Sequence, residues 1–469
     1  MTVLNIYTGP NERRCITRES ADFYRALLIG GVYEFSSPVD TSSIATFIPA
    51  VKQCINSHAH LSIIVVDAET ETPSFHFCPR LDLNHHIEIL NVDQPDDVEE
   101  MQIIENVLPQ ILDSKWPSGL PPWKIVVIPF SKTRCFIGFS FSHSLADGTS
   151  GLAFHTTFAN ALLQEKNSQN QADLLHEPKR LPLGPPFDTP QNLPISWSFL
   201  LAPLLATLLP SSLGFFKSHI DPVTSTTYTG SSMFYSPETF KTDVRLLSID
   251  QVSVKRALKT CRANGVKLTG LIHQFIVTAL FENFPDSERY DSLAAQTAID
   301  MRQLVDMSKN DMGLYVSGEK QILQKTDQAE DLWEAAKLTT EKLAATVSKR
   351  QDHAVGLLRY LNNMHSWTKA KIGQPRDSSY EVSNLLSFFP PSSVSESQIN
   401  CSIAKMVFAQ PADATGAPLS FNVVSVANGP LVIAITWQAG ALDVEPQISE
   451  GDFVDRIRES IKGSFDRLG

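Results

Sequence analysis

The feature that most restricts the fold of this chain is CFIGFSFSHSLADGTSGLAFH, Cys135–His155. Successive strand side chains point to opposite faces. Ile137, Phe139 and Phe141 therefore share one face, while Gly138, Ser140 and Ser142 leave room on the other. A polar turn separates this strand from a second, Trp123–Pro129, so the two are expected side by side. Helical spacing resumes over Gly151–Glu165, with a start near Ser150. Strand, turn and helix in immediate succession call for mixed α/β architecture. His143 stands at the end of the strand, where a sheet can present a side chain to a cleft. Gly148 after Asp147 is expected to permit a tight backbone turn. The H-x-x-x-D spacing alone also allows a triad-like contact between Asp147 and His143.

The remaining periodicity has the same mixed character. Thr41/Ser42 reads as a cap for an amphipathic helix through Ile44, Phe47, Ile48, Val51 and Ile55. Strands are expected at Ser62–Asp67 and Ser74–Phe77, and a helix at Val98–Ser114. Lys166–Thr189 is polar and then Pro-rich, as a crossover would be. Beyond Gly230, helices are expected at Ser253–Ala263, Thr269–Phe284, Ala329–Ser348, Ala354–Lys371 and Phe453–Leu468. Strands are expected at Ser292–Ile299, Tyr380–Phe389 and Cys401–Ala409, and Asn428-Gly429 marks a hairpin between Leu419–Ala427 and Leu431–Trp437. The chain therefore divides into an N-terminal lobe (1–180), a Pro-rich and apolar crossover (181–229) and a C-terminal lobe (230–469). Its 469 residues exceed the roughly 100–200 of one ordinary core.

Charge and cysteine usage narrow the function. A net charge of −12 without any run of Lys/Arg argues against nucleic acid as a partner. Six scattered cysteines with no C-x-x-C pair argue for reduced thiols and against a structural zinc site. Met1–Arg18 lacks the roughly 7–15-residue apolar core of a secretory leader, so a cytoplasmic location is expected. Leu193–Phe216 carries no charge and is long enough to cross a bilayer, but Pro194, Pro203 and Pro210 interrupt it. A covered connection, or peripheral contact with an endomembrane through 193–216, fits better than a span. The histidines His58, His60, His76, His85 and His86 come without H-E-x-x-H or paired cysteines, so no metal site is expected. Walker, dinucleotide and G-x-S-x-G motifs are absent.

PPWKIVVIP (Pro121–Pro129) followed by the Cys135–His155 stretch resembles the HxxxD acyltransferase superfamily of chloramphenicol acetyltransferase, plant BAHD enzymes and peptide-synthetase condensation domains. Within it, GPNERRCITRESADFYRALLIGGVYE (Gly9–Glu34) looks like the fungal alcohol acetyltransferase family. AIDMRQLV…MGLYVSG (Ala298–Gly318), EVSNLLSFF (Glu381–Phe389) and the final hairpin extend the likeness over nearly the whole chain. The resemblance implies an α/β fold of α+β type with two chloramphenicol-acetyltransferase-like lobes, each a mixed sheet with helices, and an active-site tunnel between them. It implies one catalytic pair, His143 and Asp147, with Asp147 turned away from the tunnel toward Arg302 of the other lobe. Gly148 and Arg302 would support the site, and Ser383 and Asn384 would make polar substrate contacts.

In that chemistry a neutral imidazole takes the proton of an alcohol as it attacks a thioester carbonyl. The oxyanion then needs a hydrogen-bond donor. The expectation is a monomeric O-acyltransferase of secondary metabolism with acyl-CoA as co-substrate, a small alcohol or hydroxylated natural product as acceptor, and no bound cofactor. Lys369, Lys371 and Arg376 could meet CoA phosphates, although a solvated helix end is the plainer reading. Ser142 replaces the second histidine usual in condensation domains, and the plant D-F-G-W-G signature is absent near Ser420-Phe421-Asn422. An N-acyltransferase, a carrier-dependent acyltransferase, a cyclase or a non-catalytic membrane-associated binding protein are the competing readings.

Overall fold

The computed structural model describes residues 6–93, 98–164, 173–201, 223–286, 288–325, 331–391 and 401–468. In chain order its strands are β1 (Ile6–Tyr7), β2 (Ala26–Phe35), β3 (Ile63–Val66), β4 (Ser74–Phe77), β5 (Leu81–Asp82), β6 (Ile87–Ile89), β7 (Trp123–Ser131), β8 (Arg134–Ser142) and β9 (Leu175–His176). They continue as β10 (Thr227–Tyr228), β11 (Thr242–Ile249), β12 (Ser292–Asp300), β13 (Val316–Gln324), β14 (Tyr380–Phe388), β15 (Cys401–Ala409), β16 (Leu419–Val426) and β17 (Leu431–Gln438). The α-helices are α1 (Pro10–Ser20), α2 (Ile48–Ser57), α3 (Glu100–Leu112), α4 (Gly148–Gln164), α5 (Gln251–Ala263), α6 (Leu268–Asn283), α7 (Leu332–Val347), α8 (Met364–Lys369) and α9 (Glu450–Asp466).

Two sheets organise the molecule. The first runs β15-β2-β8-β7-β6, and the second runs β10-β12-β14-β16-β17-β11 with β13 antiparallel to β12. Each sheet buries one face under its own helices. Leu27, Ile29 and Tyr33 of β2 join Ile137, Phe139 and Phe141 of β8 in a core with Phe154 and Phe158 of α4. Phe421, Val423, Ile433 and Ile435 of the second sheet pack on Ile272, Ile276, Phe453 and Ile457 of α6 and α9. The opposite faces meet each other: Leu28, Val32 and Phe136 form a third core with Val432, Ala434, Val244 and residues of α3. Strands covered on both sides read as continuous apolar runs, which explains ALLIGGVYEF in β2 and LVIAITWQ in β17. β15 comes from the C-terminal half yet pairs antiparallel with β2, so the first sheet is completed by the second half of the chain.

Among the longer elements that carry no assignment from sequence periodicity are β2, α1, β11 and β13. β2 lacks alternation because both faces are buried, α1 (PNERRCITRES) has no broad apolar stripe, and β13 is a half-buried strand. Ala354–Lys371 is not one helix, as expected above, but a 3-10 segment (Ala354–Tyr360) and the short α8. The first ends at Tyr360, and Asn363 caps the second, its side chain accepting from Ser366 N at 2.7 Å. Glu71 then accepts from Met364 N (2.6 Å) and His365 N (3.1 Å). Short polar side chains that bond to nearby backbone break helical period in this way. Thr41 and Ser42 cap nothing; a 3-10 turn at Ile44–Thr46 precedes α2.

Of the apolar stretch 193–216, residues 202–216 lie outside the described residues. Leu193 is buried, and residues 197–201 are helical with Trp197 exposed. No helix among the described residues is long and apolar enough to cross a membrane.

Candidate active site

β8 ends at Ser142, and the chain turns through Leu145, whose N–H donates to Ser142 O at 3.1 Å. His143 lies in this turn. Its Nδ1 is 2.9 Å from Ala146 O. A carbonyl only accepts, so Nδ1 carries the hydrogen and Nε2 keeps its lone pair. His143 is half-buried. Burial first, and then the positive charge of Arg18, push its pKa below the ordinary imidazole value, with Arg14 acting in the same sense. The Ala146 carbonyl opposes them. The ring is therefore neutral at neutral pH.

Asp147 makes no hydrogen bond to His143. Its Oδ2 and Oδ1 accept from Arg302 Nη1 (2.8 Å) and Nη2 (2.9 Å). Ser150 N and Oγ donate to Oδ1, both at 2.9 Å, and Tyr315 N donates to Oδ2 at 2.9 Å. Burial works against the charge of Asp147, but Arg302 and these donors outweigh it and hold the carboxyl below its usual range. Arg302 is 2 % exposed, donates also to Asp300 Oδ1 (3.1 Å) and Asp311 O (3.2 Å), and stacks 4.7 Å from the Tyr315 ring. The pair thus ties the His143 turn to the loop between β12 and β13. In this geometry Asp147 braces the turn that carries His143.

Gly148 follows the turn expected of it but does so without a positive φ. A Cβ there would come within 2.5 Å of Leu385 Cδ2, so the glycine is set by the close approach of α4 to β14. On β14, Val382 enters the helix-side core while Glu381 and Ser383 share the face turned to the other lobe. Asn384 spends its amide elsewhere: Nδ2 donates to Thr269 Oγ1 (3.1 Å), and Oδ1 accepts from Leu386 N (2.8 Å).

The structure adds residues that motif reasoning passed over. Tyr24 follows α1, its ring centroid 5.8 Å from that of His143. Arg18 Cζ lies 4.3 Å above the Tyr24 ring, and its Nη1 is 2.7 Å from Asp413 Oδ2. Tyr24 Oη donates to Gln410 Oε1 (2.7 Å), and Gln410 Nε2 donates to Asn422 Oδ1 (2.8 Å) and Glu381 Oε1 (3.2 Å). Glu19 accepts from Ser142 Oγ, and burial lifts its pKa to about 7 against that hydrogen bond. The signal available in the sequence was the polar run of Gly9–Ser20, with Arg14 and Arg18 one turn apart. Of the basic cluster Lys369, Lys371 and Arg376, expected first as a solvated helix end, Arg376 is instead buried on Gly416 O (2.6 Å) and Ser231 O (3.0 Å). Lys371 lies inward, its Nζ 4.0 Å over the Trp367 ring. A cavity of about 470 Å³ between α3, β11 and β15 holds no motif residue.

The family model for alcohol acetyltransferases matches residues 86–454. The chain is 25% identical over 449 residues to the protein named probable alcohol acetyltransferase FCK4 of Fusarium pseudograminearum, covering 90% of this chain and 86% of that one. It is 23% identical to probable alcohol acetyltransferase crmB of Aspergillus fumigatus, covering 92% and 93%. Among solved structures it is similar to the TRI3 trichothecene 15-O-acetyltransferase of Fusarium sporotrichioides (TM-score 0.66, 13% identity, 98% of this chain and 94% of that one). It is also similar to the condensation domain of the monacolin K polyketide synthase MokA (TM-score 0.57, 10% identity, 100% and 98%). These structures share the two-lobed chloramphenicol-acetyltransferase-like fold. With the family model spanning both lobes and the His143 turn between them, the chain belongs to the alcohol acetyltransferase family and is an acyltransferase.

Proposed function

We propose that the protein transfers a short acyl group, acetyl in the simplest case, directly from acyl-CoA to the hydroxyl of a small alcohol or hydroxylated natural product. The observation that carries this is the Nδ1–H bond to Ala146 O, which leaves Nε2 of an accessible, neutral ring as a base. Nε2 takes the hydroxyl proton as the oxygen bonds to the thioester carbon. The tetrahedral oxyanion collapses, the C–S bond breaks, and the Nε2 proton passes to the departing thiolate, giving ester and free CoA thiol. In the imidazolium, Nδ1–H on Ala146 O is a charge-assisted bond that steadies the intermediate charge. Ser383 offers a hydroxyl on the interlobe face for the oxyanion. No acyl-enzyme is required. Consistently, burial raises the thiol pKa values of Cys54, Cys135, Cys261 and Cys401, the last two to about 11 and about 12. Acyl-CoA acts as co-substrate and no prosthetic group takes part.

The test is release of free thiol from acetyl-CoA with a panel of alcohols. His143→Ala should lower turnover by about 10²–10⁴-fold with an unchanged melting curve. Near-full activity in that variant would refute the base.

A further inference from the structure

α1 carries Asn11, Arg14 and Arg18 at helical spacing on one face. Arg18 has an anion, Asp413, at 2.7 Å. Arg14 has none. Its Nε donates to Asn11 Oδ1 at 3.1 Å, and its Nη1 and Nη2 have no hydrogen-bond partner among the described residues. Asn11 is itself fixed, its N–H donating to Asp188 Oδ2 (2.7 Å) and its Nδ2 to Val316 O (3.3 Å). The guanidinium is therefore held by one edge with its fork open. Nearby carboxylates are committed elsewhere: Asp413 also accepts from Thr415 N (2.8 Å) and Oγ1 (3.0 Å), and Glu381 accepts from Gln410. Burial raises Glu381 above its usual pKa and so weakens it as a counter-charge.

Arg14 acts electrostatically on His143, and Arg14 and Arg18 together act on Lys371. Arg14 and Arg18 thus bring positive charge to His143, with Lys371 near the two arginines, in a chain whose net charge is −12. A half-buried guanidinium with unused donors is poised to take an anion, and its flat fork matches a carboxylate in two-point contact. The phosphates of CoA do not serve. The pantetheine arm holds them far from the thiol, and the thiol end is what must reach His143.

We propose that Arg14 grips a carboxylate carried by one of the two substrates, so that the transfer uses either a hydroxy-acid acceptor or a dicarboxylic acyl thioester. This rests on the acyl transfer proposed above. Two matched pairs separate the sources. With acetyl-CoA as donor, 3-hydroxybutyrate is compared with its methyl ester; with 1-butanol as acceptor, succinyl-CoA is compared with butyryl-CoA. The charged member of one pair should lead in kcat/KM by about tenfold to a hundredfold, as expected for a hydrogen-bonded charge. Arg14→Gln should erase that ratio chiefly through KM, and Arg14→Lys should recover part of it. Preference for the neutral member in both pairs, or a ratio that survives Arg14→Gln, overturns the proposal. Calorimetric binding of 3-hydroxybutyrate and of succinate to the His143→Ala protein gives a readout independent of turnover. Binding that disappears on adding Arg14→Gln supports the carboxylate site even if no pair reacts, an outcome that would instead count against acyl-CoA transfer. Failure of both acids to bind overturns the site itself.

Discussion

Replacing Arg302 with alanine tests the strut between the lobes. The substitution removes both bonds to Asp147, at 2.8 and 2.9 Å, and leaves that carboxylate buried at 5 % exposure with only Ser150 and Tyr315 as donors. Removing one partner of a buried ion pair costs roughly 3–5 kcal/mol, because the other charge stays behind. Unfolding entropy of about 2.1 cal/mol/K per residue over 469 residues amounts to roughly 1 kcal/mol/K. If the chain melts as one unit, the melting temperature should fall by about 3–5 °C. Asp147→Asn should cost a comparable amount, and the double variant less than the sum of the two, since the interaction can be lost once only. The pH dependence has a definite sign. Against burial, Arg302 depresses the folded pKa of Asp147, so its stabilisation is complete above the ordinary carboxylate value and is lost as pH falls through the folded value. The deficit of Arg302→Ala should therefore be level between about pH 5 and 8. Scanning calorimetry of the four proteins is the assay. An unchanged melting temperature, or strictly additive losses, would refute the strut.

Two further predictions concern the base and its support. Burial and Arg18 depress the His143 pKa, so kcat/KM should hold level through pH 6.5, the ordinary imidazole value, and fall only well below it. Arg18→Gln should move that acid limb upward, and a wild-type limb centred at or above 6.5 would contradict the depressed pKa. Gly148→Ala places a methyl 2.5 Å from Leu385 Cδ2, and because the end of that side chain can turn aside the cost should be about 1 kcal/mol, the low end for overpacking. Leu385→Ala in the same protein should restore part of the melting temperature, and no restoration would place the strain elsewhere.

What could be read from the sequence was whatever local pattern determines. β7, β8, α3, α5, α6 and the Asn428-Gly429 hairpin follow from period and turn chemistry, and the His143 turn from strand, small residues and helix in sequence. The boundaries failed where tertiary cover removed the pattern. β2 is apolar on both faces because a second sheet lies on it, and α8 is separate because Asn363 and a distant Glu71 supply its first-turn acceptors. The site shows the same division. His143 and Asp147 sit in one short motif, whereas Arg14, Arg18, Tyr24, Glu381 and Asp413 converge from segments far apart. Asn384 looked equivalent to Ser383 in EVSNLLSFF, but the alternation of β14 sends the two side chains to opposite faces.

The strand exchanged between the halves limits how the molecule can move. β15 reaches back to close the free side of β2, so parting the halves as rigid bodies would strip a ladder of paired amides and expose a sticky border. Substrates must then come and go by local shifts of loops and side chains rather than by hinged opening. For the same reason, a gene split between the halves would yield two fragments that each lack a neighbour, useful as a complementation pair and unfit to live apart.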